Sequence, residues 1–495
     1  MKYILGIDVG TGSTKAVAVG LDLLAAGSSQ YFYPTTASQP GYSEQDPELI
    51  WKAFQQSIEE VVEKIGTAPL SVSLSSAMHS LIAVDENGNA LAPMMTWADS
   101  RSADAAADLL STPLGMELYQ LTGTPIHSMS PLCKLIWIRE NKPELFKKTF
   151  KFISIKEYIW FKLFKTFECD YSIASCTGLM DIKKLTWCSK AIEVAGIPEH
   201  KLSTLVPTTY VRKDFNPEST LPFLAAATSF VIGASDGCLA NLGSGAIKPG
   251  MAALTIGTSG ALRVAGGQAV LNEKAMTFSY LLDEDIFING GPINNGGIAL
   301  KWHLKNISGR EELNDDDYTR AFAAAEQVAC GAEGLIFLPY LQGERAPIWD
   351  AKSCGTFFGI GLNHHQRHFT RAVIEGVCYA LNDVLRSLLA SGQDIHQLNV
   401  SGGFVSSDLW LQVLADITGK KLVLATTEDA SAVGAAYLAI KATGLSSSYP
   451  SAEVKESKTI LPNESNHAVY QGYFRIYQKL YPQLRPLMHE LNGLI

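Results

Sequence analysis

Two stretches far apart in the chain share one form. Residues 4–17 read ILGIDVGTGSTKAV, and residues 251–264 read MAALTIGTSGALRV. Each is an apolar run, a Gly-Thr turn among small residues, and a second apolar run. That is the pattern of a strand, a glycine turn and a returning strand. A unit that recurs in both halves of a chain points to two copies of one supersecondary element. Two such glycine turns, facing each other across a cleft, are suited to clamping one polyphosphate from both sides.

The surrounding pattern alternates strands and helices. Residues 3–9 and 15–22 read as the two strands of the opening hairpin. A helix is expected over about 46–65, with Asp46 as its N-cap and Pro47 in its first position. Strands return at 70–76 and 80–85, and the stretch 100–185 reads as mainly helical. An apolar run at 229–234 ends in Ser235-Asp236-Gly237. A long amphipathic helix is expected over 366–390, where Phe369, Val373, Val377, Leu381, Leu385 and Leu388 recur at helical spacing. A third glycine turn, Ser401-Gly402-Gly403, precedes a helix at about 407–419. With 495 residues the prior is two or three domains.

Composition excludes several classes. The net charge of -9 argues against a nucleic-acid binder, which needs a basic face. No apolar run reaches the roughly 18 residues that span a bilayer, and no cleavable leader is apparent. The eight cysteines contain no CxxC pair and sit mostly in apolar contexts. They read as reduced core thiols, which places the chain in the cytoplasm.

The chemistry concentrates at turns. In Asp8-Val9-Gly10-Thr11-Gly12-Ser13-Thr14-Lys15, backbone N–H groups and hydroxyls can face an anion. The turn is neither a Walker A sequence nor GxGxxG. Asp8, near the strand's end, suits Mg2+ held through water. Gly257-Thr258-Ser259-Gly260 repeats the composition. At Ser401-Gly402-Gly403 the glycines either let a flat ring approach or satisfy a positive φ. Asp236, directly after a strand, either accepts a hydroxyl proton during phosphoryl transfer or caps the next helix. Met78-His79-Ser80 and Thr96-Trp97-Ala98-Asp99-Ser100-Arg101 suit a polyhydroxyl ligand. For His79 and Arg101 a buried hydrogen-bonded histidine and an ion pair with Asp99 are equally open. His364, His365 and His368 read as a solvated first helical turn rather than a metal cluster.

DVGTGSTK, TIGTSG and VSGG resemble the two phosphate motifs and the adenosine motif of the actin, sugar-kinase and chaperone superfamily. Over nearly its full length the chain resembles the FGGY carbohydrate kinases, through MHSLIAVDENGNAL, TWADSRS, GASDG, LPYLQGERAPIWD and SGGFVSSDLWLQVLADITG. Within that family it is most similar to the gluconate kinases, with the xylulose kinases next. The resemblance implies an α/β fold of two actin-like (ribonuclease H-like) domains, residues 1–245 and 246–495, with a cleft between them. It implies ATP and Mg2+ as cofactors and a sugar or sugar-acid acceptor, and it leaves a homodimer open. The family's catalytic base falls on Asp236. Its phosphate contacts fall on Thr11, Gly12, Ser13 and Lys15, then on Gly257 and Thr258. Further nucleotide contacts fall on Gly297, Lys301, Gly403 and Ser407, and substrate contacts on Met78, His79 and Asp236. Lys301 and Ser407 depart from the amides of the glycerol kinases, so adenine contacts through these two side chains are not carried over. A substrate carboxylate would call for a cation, for which Arg101, Lys134 and Lys156 are the candidates.

Overall fold

The computed structural model describes residues 1–309, 312–425, 429–450 and 456–494. In its first half, β1 (Tyr3–Val9) and β2 (Ser13–Gly20) form the expected antiparallel hairpin, and β3 (Ala25–Phe32) extends it. β2 begins at Ser13 because Thr14 already pairs with Val9 in the ladder. Helix α1 (Pro47–Ile65) carries the chain back across the sheet. Asp46 caps it, its side chain accepting from the Glu48 N–H at 2.9 Å, and Gly66 ends it in the left-handed region at φ 76°. Ile50, Phe54, Ile58 and Val61 are buried at the spacing of one helical face. β4 (Ser71–Ser76) then runs parallel to β1, and β5 (Ser229–Ser235) parallel to β4. The strand order is β3-β2-β1-β4-β5, with the short edge strand Val211–Arg212 outside β5.

Between β4 and β5 lies the helical stretch expected from the sequence. Among its helices are α2 (Pro131–Asn141) and α3 (Ile155–Phe164), with others at Ala103–Leu110, Pro113–Thr122 and Tyr171–Ser175. The strand expected at 80–85 shrinks to Ile82–Val84, which pairs with Lys151–Ile153. Helix α4 (Asp236–Gly243) follows β5 without a linker.

The second half repeats the plan. β6 (Gly250–Ile256) and β7 (Gly260–Gly266) form a hairpin, and β8 (Ile286–Ile293) pairs antiparallel with β7. After α5 (Gly297–Trp302) and α6 (Gln366–Ala390), β9 (Ile395–Ser401) lies parallel to β6. Helix α7 (Asp408–Thr418) leads to β10 (Lys421–Ala425), parallel to β9. The order β8-β7-β6-β9-β10 copies that of the first sheet, with edge strands Phe278–Asp283 and Glu456–Ile460 outside it. The repeat seen in two short turns therefore extends to two complete ribonuclease H-like sheets. Helices α8 (Ala430–Ala442) and α9 (Glu464–Asn492) complete the second half. At the start of α6, His365 is the N-cap and its N–H donates to His368 Nδ1 at 2.9 Å. His365, Gln366 and Arg367 are exposed, as a solvated turn requires, and His368 alone is packed inward, 2% exposed.

The two halves meet where α4 and α8 cross. A Cβ on Gly243 would lie 2.0 Å from the Ala430 carbonyl oxygen, and one on Gly434 2.0 Å from that of Leu239. Only glycine permits so close a crossing. α8 also lies against β1, where a Cβ on Gly6 would come within 1.8 Å of the Ala432 carbonyl oxygen. Ile4, Val17, Leu239, Leu242, Val433 and Ala436 bury their side chains in this shared core.

Candidate active site

The first glycine turn is braced from several sides. The Gly10 N–H donates to the Ser13 carbonyl at 3.0 Å, and the Tyr33 hydroxyl to the Gly10 carbonyl at 2.6 Å. Gln45 donates to the Thr11 carbonyl, and Trp97 Nε1 to Thr11 Oγ1 at 3.0 Å. Trp97 thus ties the polyhydroxyl-type wall to the phosphate-type turn. Gly12 faces open space, with no atom within 4 Å of where its Cβ would stand. Lys15 forms an ion pair with Asp429, at the N-terminus of α8.

Asp8 accepts from Ser75 Oγ at 2.7 Å. Burial pushes its pKa up to about 7, Asp236 and Asp429 add to the shift, and the Ser75 hydroxyl and Lys15 oppose it. A buried carboxylate among like charges is short of positive charge, so a hydrated cation fits the donor set. No cluster of three or more metal-ligating side chains exists among the described residues. The fit is therefore to a water-held ion.

The second turn is built into its neighbours. The Gly257 carbonyl accepts from the Gly297 N–H at 2.7 Å, and the Thr258 carbonyl from the Gly296 N–H at 3.0 Å. Gly257 itself faces open space. Gly297 begins α5, whose Lys301 is exposed. The third turn packs on the same strand end: Gly402 has φ 106°, and a Cβ there would lie 2.2 Å from the Ile256 carbonyl oxygen. That settles Gly402 as a positive-φ glycine, while Gly403 is open to solvent. Ser407 is buried and caps α7 by accepting from the Trp410 N–H at 3.3 Å.

One cavity of about 270 Å³ joins the second turn to the substrate-type residues. Asp236, Met78, His79, Trp97 and Met129 line it together with Gly257. Lys301, Gly403 and Ser407 lie outside that lining. Asp236 is the first residue of α4, and its Oδ1 accepts from the Gly237 N–H at 2.7 Å. Ser235 occupies the N-cap position, so Asp236 is not the cap, and its carboxylate lines the cavity. Burial raises its pKa, and the Arg263 charge opposes the rise.

His79 Nδ1 lies 2.8 Å from the Cys176 carbonyl, which can only accept, so the Nδ1 proton points there. Burial, with help from Lys134, lowers the His79 pKa to about 3. The ring is thus neutral, and Nε2 is an acceptor 3.4 Å from the Tyr280 hydroxyl. Its backbone sits at φ 66°, a strained value for a residue with a Cβ. His79 is thus a buried, hydrogen-bonded histidine that also lines the cavity.

The expected cations are elsewhere employed. Arg101 Nη2 pairs with Asp99 and Glu44 at 2.7 Å each, and its guanidinium stacks 3.9 Å above the Tyr42 ring. Lys134 Nζ donates to the His79 and Thr96 carbonyls at 2.5 and 2.7 Å. Burial lowers the Lys134 pKa to about 7. Lys156 is buried against Asp170 at 2.8 Å. These three build the walls and do not face the cavity. Arg263 and Arg345, which sequence reasoning did not single out, are the cations that line it. Both lie in quoted motifs, Arg263 in the second hairpin and Arg345 in LPYLQGERAPIWD, but no local signal marks an unpaired arginine.

A two-domain phosphotransferase of the actin-like class is what these paired sheets, glycine turns and cavity carboxylate define. Profiles of the FGGY family of carbohydrate kinases match residues 3–243 (N-terminal domain) and 252–443 (C-terminal domain). A gluconokinase of Bacillus licheniformis is 40% identical over 99% of this chain and 96% of its own length. Among solved structures, a gluconate kinase from Lactobacillus acidophilus has a TM-score of 0.92 at 34% identity, covering 98% of both chains. A ligand-bound xylulose kinase from the same organism has a TM-score of 0.94 at 33% identity, covering 99% of this chain and 100% of its own. The chain belongs to the FGGY family of carbohydrate kinases. No helix among the described residues is long and apolar enough to cross a membrane.

Proposed function

We propose that this enzyme transfers the γ-phosphoryl group of ATP to the terminal hydroxyl of D-gluconate, giving 6-phospho-D-gluconate. The carrying observation is that Asp236 shares one cavity with the second glycine turn, His79 and Trp97. An acceptor hydroxyl beside Asp236 would stand next to a phosphate on Gly257. Two cavity-facing arginines in a chain of net charge -9 favour an acidic acceptor over a neutral one. The likeness to the gluconokinase points the same way.

In this reading residues 1–245 supply the sugar wall, the first phosphate turn and the base, and residues 246–495 the second phosphate turn and the adenosine side. Thr11, Gly12, Ser13 and Lys15 face the phosphates from one side and Gly257 and Thr258 from the other. Gly297 and Gly403 approach the nucleoside by backbone. Lys301 is exposed and Ser407 is engaged as a cap, so neither side chain is assigned to adenine. Met78 and His79 hold the sugar chain, His79 through its Nε2 lone pair. Asp236 orients the hydroxyl and takes its proton as the bond to phosphorus forms. Asp8 would hold Mg2+ through water, and the ion's chemistry is to offset phosphate charge. Eight free thiols, six of them buried, fit a reducing cytoplasm.

The test is ADP release with gluconate, xylulose, ribulose and glycerol as acceptors. Gluconate is expected to give the highest kcat/KM. Xylulose in first place would overturn the sugar-acid reading and leave the kinase reading intact.

A further inference from the structure

We infer that Arg263 is the residue that receives the carboxylate of the acceptor and so selects sugar acids over neutral sugars. The inference rests on the sugar-acid reading above.

A guanidinium carries five N–H donors and no acceptor. Among the described residues, the Arg263 side chain makes no hydrogen bond and no ion pair, and its Nε is sealed from solvent without a partner. The other cations of this region are satisfied or partly so. Arg345 donates from Nε to Asn294 Oδ1 at 2.7 Å and from Nη2 to the Ile293 carbonyl at 3.1 Å. Lys134 and Lys156 have the partners described above. An orphaned buried donor is costly, and more so when charged. Such a group is tolerated where a ligand completes it.

The surroundings make room for this side chain. Arg263 lies on β7, opposite Gly290 of β8, where a Cβ would come within 3.2 Å of the Arg263 Cα. Its Nε reaches the backbone after Asp236: a Cβ on Gly237 would lie 3.1 Å from it. Gly290 thus lets the two strands approach, and Gly237 clears the path of the guanidinium. Asp236 is close enough to oppose the burial that lowers the Arg263 pKa, yet the two form no ion pair. The charge of Arg263 is therefore not consumed by the base.

Two anions could complete it, the acceptor's carboxylate or the moving phosphoryl group. The lining favours the carboxylate. Arg263 shares its face of β7 with Ala261, and beyond the turn residues Gly257, Ser259 and Gly260 the same cavity is walled by Phe278 and Tyr280, which leaves room for an acceptor beside the guanidinium. A bidentate arginine–carboxylate fork there would fix the acceptor against the wall beside Asp236.

The test uses full-length Arg263→Met, Arg263→Gln and Arg263→Lys, with thermal melts to confirm folding. Steady-state rates are measured with gluconate and xylulose, and gluconate binding without nucleotide by calorimetry. Removing a charge-assisted fork is expected to weaken gluconate binding and lower the gluconate-to-xylulose selectivity by about 10–100-fold, with partial rescue in the lysine variant. An equal loss on both acceptors, or a fall in kcat with gluconate binding unchanged, would assign Arg263 to the phosphoryl group and overturn the inference, leaving the gluconate reading standing. If the unaltered enzyme neither binds nor phosphorylates gluconate, the reading fails first and the inference with it. Should the Met variant not fold, the Gln and Lys variants decide.

Discussion

The two hairpins share a backbone and divide the charge. β1–β2 and β6–β7 have the same neighbours and the same place in their sheets, and the first turn is one residue longer. By ladder position, Asp8 stands where the second unit has Thr255, and its partner Lys15 where the second has Ala261. Even the second partner is shared: Asp8 accepts from Ser75 at 2.7 Å, and Thr255 meets Ser401 at 3.1 Å, each across a parallel register pair. The first unit thus keeps a buried charge where the second keeps a neutral hydroxyl. The residues that follow the fifth strands diverge as well. Asp236 at the head of α4 lines the cavity, whereas Asp429 at the head of α8 is tied to Lys15. In the proposed reading one architecture serves two tasks, ionic chemistry in the first copy and backbone phosphate contact in the second.

The sharpest break of that division is at the paired aspartates. Asp236→Asn is expected to lose roughly 10²–10⁴ in turnover while keeping the fold and ATP binding. Asp429→Asn is expected to lose less than about tenfold, since a partly exposed ion pair contributes little. ADP release and nucleotide titration measure both, and near-normal turnover in Asp236→Asn would remove the base from its role.

A second contrast lies at the strand position two residues before Asp8. Gly6 is pressed by α8, while its counterpart Ala253 accommodates a methyl group. Gly6→Ala should destabilise the protein by roughly 1–3 kcal/mol through overpacking. Ala253→Gly should cost about 1 kcal/mol or less. Chemical denaturation of the two variants gives the comparison directly, and similar costs at both sites would argue that the copies pack alike.

The buried charge also makes a pH signature. The Asp8 pKa is raised to about 7 in the folded chain and is near 3.8 when unfolded. Between those values the unfolded state binds fewer protons, so Asp8 favours folding below about pH 4 and that contribution is lost as pH rises towards 7. Asp8→Asn should therefore melt higher than the parent protein at pH 8, with the gap closing towards pH 4. A gap independent of pH would show that Asp8 is not the titrating group. The smallest effect belongs to Thr255→Val, a loss of about 1 kcal/mol with its neutral hydrogen bond and no pH dependence.

Much of this was legible before any coordinates. The hairpins, the Asp46 cap, α6 from 366 to 390 and the position of Asp236 after a strand all follow from short-range patterns. Apolar spacing, capping residues and turn glycines act within about one turn or one ladder. The engagement of the candidate cations was legible only where it is local. The Arg101 pair with Asp99 lies two residues away, whereas Glu44, Thr96 and Asp170, which hold Arg101, Lys134 and Lys156, are 57, 38 and 14 residues away. The Ser407 hydroxyl caps α7 by accepting from the Trp410 N–H three residues on.

The amino-acid order alone determined that two strand–turn–strand units exist, that they carry glycine turns fit for phosphate, and that one carboxylate follows a strand in the first half. Those properties reside in neighbouring residues, whose sterics and hydrogen bonds are complete within a few positions. Only the tertiary structure decided which charges stay free. Whether an arginine is spent in an ion pair or left facing a cavity depends on which distant groups the fold delivers to it, and no local pattern encodes that delivery.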